Sequence, residues 1–221
     1  MIDYPGRIAS VIYTQGCNFR CPFCHNPELV CPELFQGEFL EEDIFSFLEK
    51  RVKELDGVVV TGGEPLMHSD SFDFISRIKE LGYSIKLDTN GCYPQRLEQI
   101  LRAGIVDFAA MDIKAPLHKY DALTGVHSNH NDIEYSIELI KKYACEYEFR
   151  TTVVKNMLTK NDLLDIINMI EPAKKYVVQR FRSDSQILDE SLRSNVYTDA
   201  EFHEKKLYLD SYGFETQVYF R

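Results

Sequence analysis

Two hydrophobic periods share this chain. Short apolar runs at 8–13, 58–60, 83–87, 105–111, 147–154 and 176–181 read as buried strands. Between them, apolar residues recur every three or four positions. The sets are Ile44, Phe47, Leu48, Val52 and Leu55; Phe72, Ile75, Ile78 and Leu81; Leu97, Ile100 and Leu101; Ile133, Ile137 and Ile140; and Leu163, Ile166, Ile167 and Ile170. Such spacing turns one face of a helix toward a core. Gly82, Gly104 and Pro172 each stop a helix. The polar stretch 183–195 shows no period, 201–210 suggests a last helix, and 214–220 a late strand. Six strands alternating with helices, with no linker between them, predict one α/β domain over 1–221 built on a parallel sheet.

Ligands of such sheets sit at the carboxyl ends of the strands, and the unusual motifs all fall there. Cys17 follows the first strand, Gly62-Gly63-Glu64-Pro65 the second, Asp88-Thr89-Asn90-Gly91 the third and Met111-Asp112-Ile113-Lys114 the fourth. Cys17, Cys21 and Cys24 stand in a C-x3-C-x2-C spacing on a loop spanning about 16–37. Three thiolates on one loop suit an iron–sulfur cluster with one open metal position, or zinc. Zinc needs a fourth ligand, for which His25 and Cys31 are the candidates. Adjacent Cys24 and His25 do not easily point at one small ion. Ordinary reduced cysteines are the third reading.

The two glycines at 62 and 63 permit close backbone approach, and Glu64 offers an acceptor suited to an ammonium group; an ordinary turn is the alternative. Asp88 and Asp112 present hard oxygens on neighbouring strands, or act as local caps. Lys114 would neutralise a negative pocket, unless it is a surface lysine. Arg150 lies in an apolar strand and needs a partner if it faces inward. Gln179 and Arg180 must face opposite sides of their strand, with Arg180 free to pair with a surface acid. His68, His118, His127, His130 and His203 show no ligand spacing, and Cys31, Cys92 and Cys145 none that supports a second cluster.

Composition narrows the partners. Apolar residues make up 44%, so a folded core is expected, and the formal net charge of −10 argues against a nucleic-acid surface. No apolar run is long enough to cross a bilayer. The opening Met1-Ile2-Asp3-Tyr4-Pro5 does not read as a secretory signal, which makes the cytoplasm the expected compartment.

The cysteine spacing is the signature of the radical S-adenosylmethionine enzymes. Asp3-Tyr4-Pro5-Gly6, together with the run from Gly16-Cys17 through Cys24-His25-Asn26-Pro27-Glu28-Leu29, resembles the glycyl-radical-enzyme activases, most of all those of anaerobic ribonucleoside-triphosphate reductase. With the later motifs the likeness extends over roughly residues 3–181. It implies a partial (β/α)6 TIM-like barrel. It also implies that Cys17, Cys21 and Cys24 ligate a [4Fe-4S] cluster whose open iron chelates S-adenosylmethionine. Reductive cleavage then yields a 5′-deoxyadenosyl radical that takes a hydrogen from a partner's glycine. By the same likeness Phe23 lies near the adenine, and Gly62, Gly63, Glu64 and Pro65 hold the methionine amino group. Asp88, Thr89, Met111 and Asp112 match the monovalent-cation site of pyruvate formate-lyase activating enzyme. Lys114, Arg150 and Gln179 fall at pocket positions, although Val154-Lys155-Asn156 replaces the Val-Pro-Gly that often follows the arginine. The implied partners are a glycyl-radical enzyme, with anaerobic ribonucleotide reductase first, and flavodoxin or another low-potential electron donor. Modification of another protein or of a small molecule such as a deazapurine precursor is the alternative within the superfamily. A zinc-bound interaction module is the alternative outside it.

Overall fold

A computed structural model describes residues 3–221; Met1 and Ile2 of the opening peptide lie outside the described residues. Seven strands form one sheet in chain order: β1 (Ala9–Thr14), β2 (Gly57–Gly62), β3 (Ser84–Thr89), β4 (Phe108–Asp112), β5 (Glu146–Val153), β6 (Lys175–Arg180) and β7 (Gln217–Phe220). Every neighbouring pair is parallel. The helices are α1 (Pro27–Val30), α2 (Glu41–Arg51), α3 (Ser71–Glu80), α4 (Pro94–Ala103), α5 (Tyr120–Thr124), α6 (His130–Tyr143), α7 (Lys160–Ile170) and α8 (Asp199–Asp210). The six expected strands are six of seven. The late strand joins the same sheet, with Phe220 level with Val178, so the partial barrel has one more strand than expected.

The period of two along each strand divides the sheet into unlike faces. Val58 and Val60, Ile85 and Leu87, Ala109 and Met111, Tyr147 and Phe149, and Tyr176 and Val178 belong to the apolar core beneath the helices. Ile75 and Ile78 of α3 and Ile166 and Ile167 of α7 enter that core with no or almost no exposure. Burying each such side chain contributes about 1.5–3 kcal/mol. The intervening positions form the inner face. The register sets Val59 beside Lys86, Asp88 beside Ala110, Asp112 beside Arg150, and Thr152 beside Gln179. Closed barrels fill this space with branched apolar layers. Here charge occupies it.

Local chemistry sets the helix ends. Pro94 opens α4, and Gly104 closes it in the left-handed conformation. Capping boxes start α7 (Thr159 with Asp162) and α8 (Thr198 with Glu201). The aperiodic stretch after β6 turns back over the cysteine loop. There the Leu188 N–H donates to the Cys24 carbonyl (3.0 Å) and the Asp189 N–H to the Pro22 carbonyl (2.8 Å). Ile187 is buried beneath this strap, and Tyr197 anchors its far end through its hydroxyl to the Leu158 carbonyl (3.1 Å).

Candidate active site

The loop after β1 is fixed from three sides. The Gly16 N–H donates to the Leu29 carbonyl (2.7 Å) and the Arg20 N–H to the Thr124 carbonyl (2.7 Å), while the Arg20 guanidinium donates to the carbonyls of Cys17 and Phe19. A Cβ at Gly125 would lie 2.5 Å from the Arg20 carbonyl oxygen, and its φ is +71°. Glycine alone lets α5 come this close. The loop after β2 is bound to β1 as tightly. The Gly63 N–H donates to the Thr14 carbonyl (2.9 Å) and the Glu64 N–H to the Gly16 carbonyl (2.8 Å), and a Cβ at Gly63 would fall 1.9 Å from the Gly16 oxygen. The two glycines therefore permit approach to the cysteine loop itself.

These loops and the ends of β3, β4 and β5 enclose a cavity of about 180 Å³. Cys17, Cys21 and Cys24 stand on its wall with Phe23, Gly62, Gly63, Asp88, Thr89, Asp112 and Lys114, all of them expected pocket residues. His25, weighed from sequence as a zinc ligand, lines it too, as do Phe19, Asn26, Val30, Thr61, Asn90 and Thr152, none of which the sequence singles out for a pocket role of its own. The inner-face period could have found Thr61 and Thr152, since each lies two residues from another inward position, Val59 and Arg150 respectively.

Burial pushes the Cys21 thiol up to about 12 and raises Cys17 and Cys24 as well, against the pull of Lys114 on all three. Such thiols hold their protons until a metal displaces them. The Phe19 N–H (3.4 Å) and Asn90 Nδ2 (3.9 Å) point at the Cys17 sulfur, donors that stabilise a thiolate or a cluster bound there. A tetrahedral zinc would bring its thiolates within about 3.8 Å of one another. Among the described residues these three sulfurs do not all lie within 4.8 Å of one another. His25 stacks on Phe181, with its Nε2 2.7 Å from the Arg182 carbonyl oxygen. Three thiols on one cavity wall are the donor set of an iron–sulfur cluster with one open metal position.

Five expected residues lie off the cavity wall; one of them, Arg150, reaches it through the carboxylates of Asp88 and Asp112. Glu64 is fully buried behind it. Its Oε1 accepts from the Leu66 N–H (3.0 Å) and the Thr89 hydroxyl (2.8 Å), and its Oε2 from the Asn90 N–H (2.6 Å). Burial raises this carboxyl to about 7 despite the three donors. Pro65 begins the short turn beneath it, and Met111 packs its side chain into the helix-side core. Gln179, once its amide is oriented to suit its neighbours, accepts from Arg221 at 2.9 Å. Arg180 pairs with Asp199 on the outside, as its alternation with Gln179 requires.

The carboxylates form a ladder with basic side chains. Asp88 Oδ1 pairs with Lys86, and its Oδ2 accepts from Thr61 (3.3 Å) and Arg150 Nη1 (3.2 Å). Asp112 Oδ1 accepts from Arg150 Nε (2.7 Å) and its Oδ2 from Lys114 (3.0 Å). Burial works against a charge on Asp112, yet Arg150 and Lys114 hold it well below the usual carboxylate range. Burial likewise opposes the charges on Lys114 and Arg150, and Asp112 more than restores both. Lys86 is drawn down by burial and only partly supported by Asp88. The oxygens expected to hold a monovalent cation are thus met by three basic groups, and the Thr89 hydroxyl is turned to Glu64. That arrangement does not fit a bound cation.

His118, Asp162 and Asp165 also gather ligand atoms within 4.8 Å of one another. Asp162 there closes the α7 capping box and pairs with Lys119 (2.7 Å), which accounts for its position. His127 bonds Asp121 (2.7 Å) and His68 the Gln15 carbonyl (2.9 Å), while His130 Nε2 lies 3.4 Å from Asp121.

The family profile of the Radical SAM superfamily matches residues 11–170. The chain belongs to that superfamily. A candidate glycyl-radical enzyme activating enzyme from Methanocaldococcus jannaschii is 31% identical over 219 residues, covering 95% of this chain and 90% of that protein. The 7-carboxy-7-deazaguanine synthase of Methanothermobacter thermautotrophicus is 32% identical over 141 residues, or 62% of this chain and 53% of the synthase. Among solved structures, Streptococcus suis SuiB bound to S-adenosylmethionine superposes with a TM-score of 0.74 at 16% identity, covering 99% of this chain and 51% of SuiB. That likeness shows a shared fold.

Proposed function

We propose that this radical SAM enzyme installs a glycyl radical on a partner enzyme, with anaerobic ribonucleoside-triphosphate reductase as the partner. The observation that carries the reading is the set of three thiols lining one cavity together with Asp88, Asp112 and Lys114. The near full-length likeness to the Methanocaldococcus protein supports the activase class. A [4Fe-4S] cluster and S-adenosylmethionine, when bound, supply one-electron cleavage of the sulfonium and a radical able to take a glycine hydrogen.

The chain's own residues divide the remaining work. Cys17, Cys21 and Cys24 hold three corners of the cluster, and Lys114 offsets the negative charge of thiolate ligation. Phe23 and Val30 give the cavity an apolar wall for an adenine. Arg150 and Lys114 fix Asp112, presenting an ordered set of charges to the amino and carboxylate groups of the cofactor. Flavodoxin or another low-potential donor is the expected electron source, and the cytoplasm the expected site. Among the described residues no helix is long and apolar enough to cross a membrane.

The match to a deazaguanine synthase favours a second reading, in which a small purine precursor takes the place of the protein partner. One experiment separates them. Reduced, iron-reconstituted protein is incubated with S-adenosylmethionine and the reductase, and glycyl radical is sought by paramagnetic resonance. A doublet on the reductase is expected. A competent cluster that cleaves the cofactor yet leaves the reductase silent, but turns over the purine precursor, overturns the activase reading.

A further inference from the structure

Lys86 has no part in the expected cofactor site, yet it is among the largest fully buried side chains of the molecule. It lies on the inner face of β3, two residues from Asp88, and its ammonium pairs with Oδ1 of that carboxylate. Asp88 and Asp112 thereby face Lys86, Arg150 and Lys114, three basic groups to two carboxylates, while the buried carboxylate of Glu148 on the same face of β5 is turned to Lys175 (2.7 Å) and Arg221 (3.9 Å). A monovalent cation among the same oxygens would add a fourth positive charge to a site already one in excess. Like charges packed this closely oppose each other strongly, because little water screens them. The residual positive charge is of the sign that a cofactor carboxylate needs.

We propose that Lys86 is a tethered replacement for the monovalent cation, making cofactor binding in this enzyme independent of sodium and potassium. Its ammonium supplies to Asp88 the positive charge that a bound ion would supply, held in place by the β3 backbone. Lys86 is therefore a positioning residue: it acts on the cofactor through Asp88 and Arg150. The inference rests on the S-adenosylmethionine-binding part of the proposed function and not on the identity of the hydrogen donor.

The test uses anaerobically reconstituted protein in potassium, sodium or choline chloride at equal ionic strength. S-adenosylmethionine affinity is read by calorimetry, and occupancy of a cation site by thallium NMR. Wild-type affinity is expected to agree across the three salts within about twofold, with no specifically bound thallium. Lys86→Met is expected to lose about tenfold in choline and to regain affinity as potassium or sodium is added; Lys86→Arg is expected to stay indifferent to the salt. Wild-type affinity that rises saturably with potassium or sodium, or wild-type thallium binding that potassium displaces, overturns the proposal. If Lys86→Met does not fold, the wild-type titrations still decide. A protein that binds the cofactor independently of salt but never forms a glycyl radical refutes the activase reading and leaves this inference standing.

Discussion

Glu64 shows how a residue can belong to a functional motif without facing the cavity. Two backbone N–H groups and one hydroxyl converge on its carboxylate and fasten the end of β3 to the turn after β2. Its carboxyl is raised by burial from 4.5 to about 7, so the native state holds this proton more tightly than the unfolded chain. The stability it contributes is complete below its ordinary pKa and is lost as pH rises through about 7. Glu64→Gln, which cannot ionise, is expected to lack that decline. The difference in unfolding free energy between wild type and variant, measured in urea from pH 5 to pH 8, is expected to move against wild type by up to about 3 kcal/mol. An unchanging difference would refute the account. Asp88→Ala leaves Lys86 buried without its carboxylate and is expected to cost about 3 kcal/mol of stability, read by the same method. Cys21→Ala, by contrast, is expected to lose cluster iron and all 5′-deoxyadenosine formation while the apoprotein stays folded, by iron analysis and product chromatography.

At the scale of elements, the cavity is a set of loops held by backbone contacts that side-chain patterns do not display. The strands and long helices were legible because each carries a period; Ile75 and Ile78, or Ile166 and Ile167, advertise the faces they bury. Motif spacing likewise exposed the three cysteines, Asp88 and Asp112. Lys86 escaped notice because a charge alternating with apolar residues in a strand looks like one on a solvated face. Only closure of the sheet toward a barrel turns that face into a pocket wall. The strap was illegible for a different reason: its principal bonds to the cysteine loop use main-chain groups, which any sequence possesses. Gly63→Ala tests how tightly the loops are coupled. The added methyl meets the Gly16 carbonyl, so a loss of about 2 kcal/mol or more is expected in thermal unfolding, together with weaker cluster retention. A stable variant with normal iron content would show that the two loops are free to separate.

The whole molecule is a ladder of seven parallel strands whose ends, β1 and β7, are not neighbours in the sheet. Interior strands are held from both sides and carry all the buried positions of the sheet, whereas β7 has four residues, half of them exposed, and pairs only with β6. Opening should therefore begin at that end. Hydrogen exchange followed by mass spectrometry is expected to show β7 losing protection first and β3 to β5 last. Uniform protection across the sheet would contradict this gradient.

The strap carries a consequence for synthesis. Its Leu188 and Asp189 amides close onto Cys24 and Pro22, more than 160 positions earlier. While the chain is still emerging from the ribosome, the three thiols lack this cover until residues 187–197 have been made. Ribosome-bound nascent chains halted before residue 187 should therefore react with thiol-directed reagents at Cys21 as readily as at exposed Cys145, and lose that reactivity once residues 187–197 have cleared the tunnel. The cavity is covered only after the strap is made, so the cysteine loop is open during manufacture and sheltered afterwards.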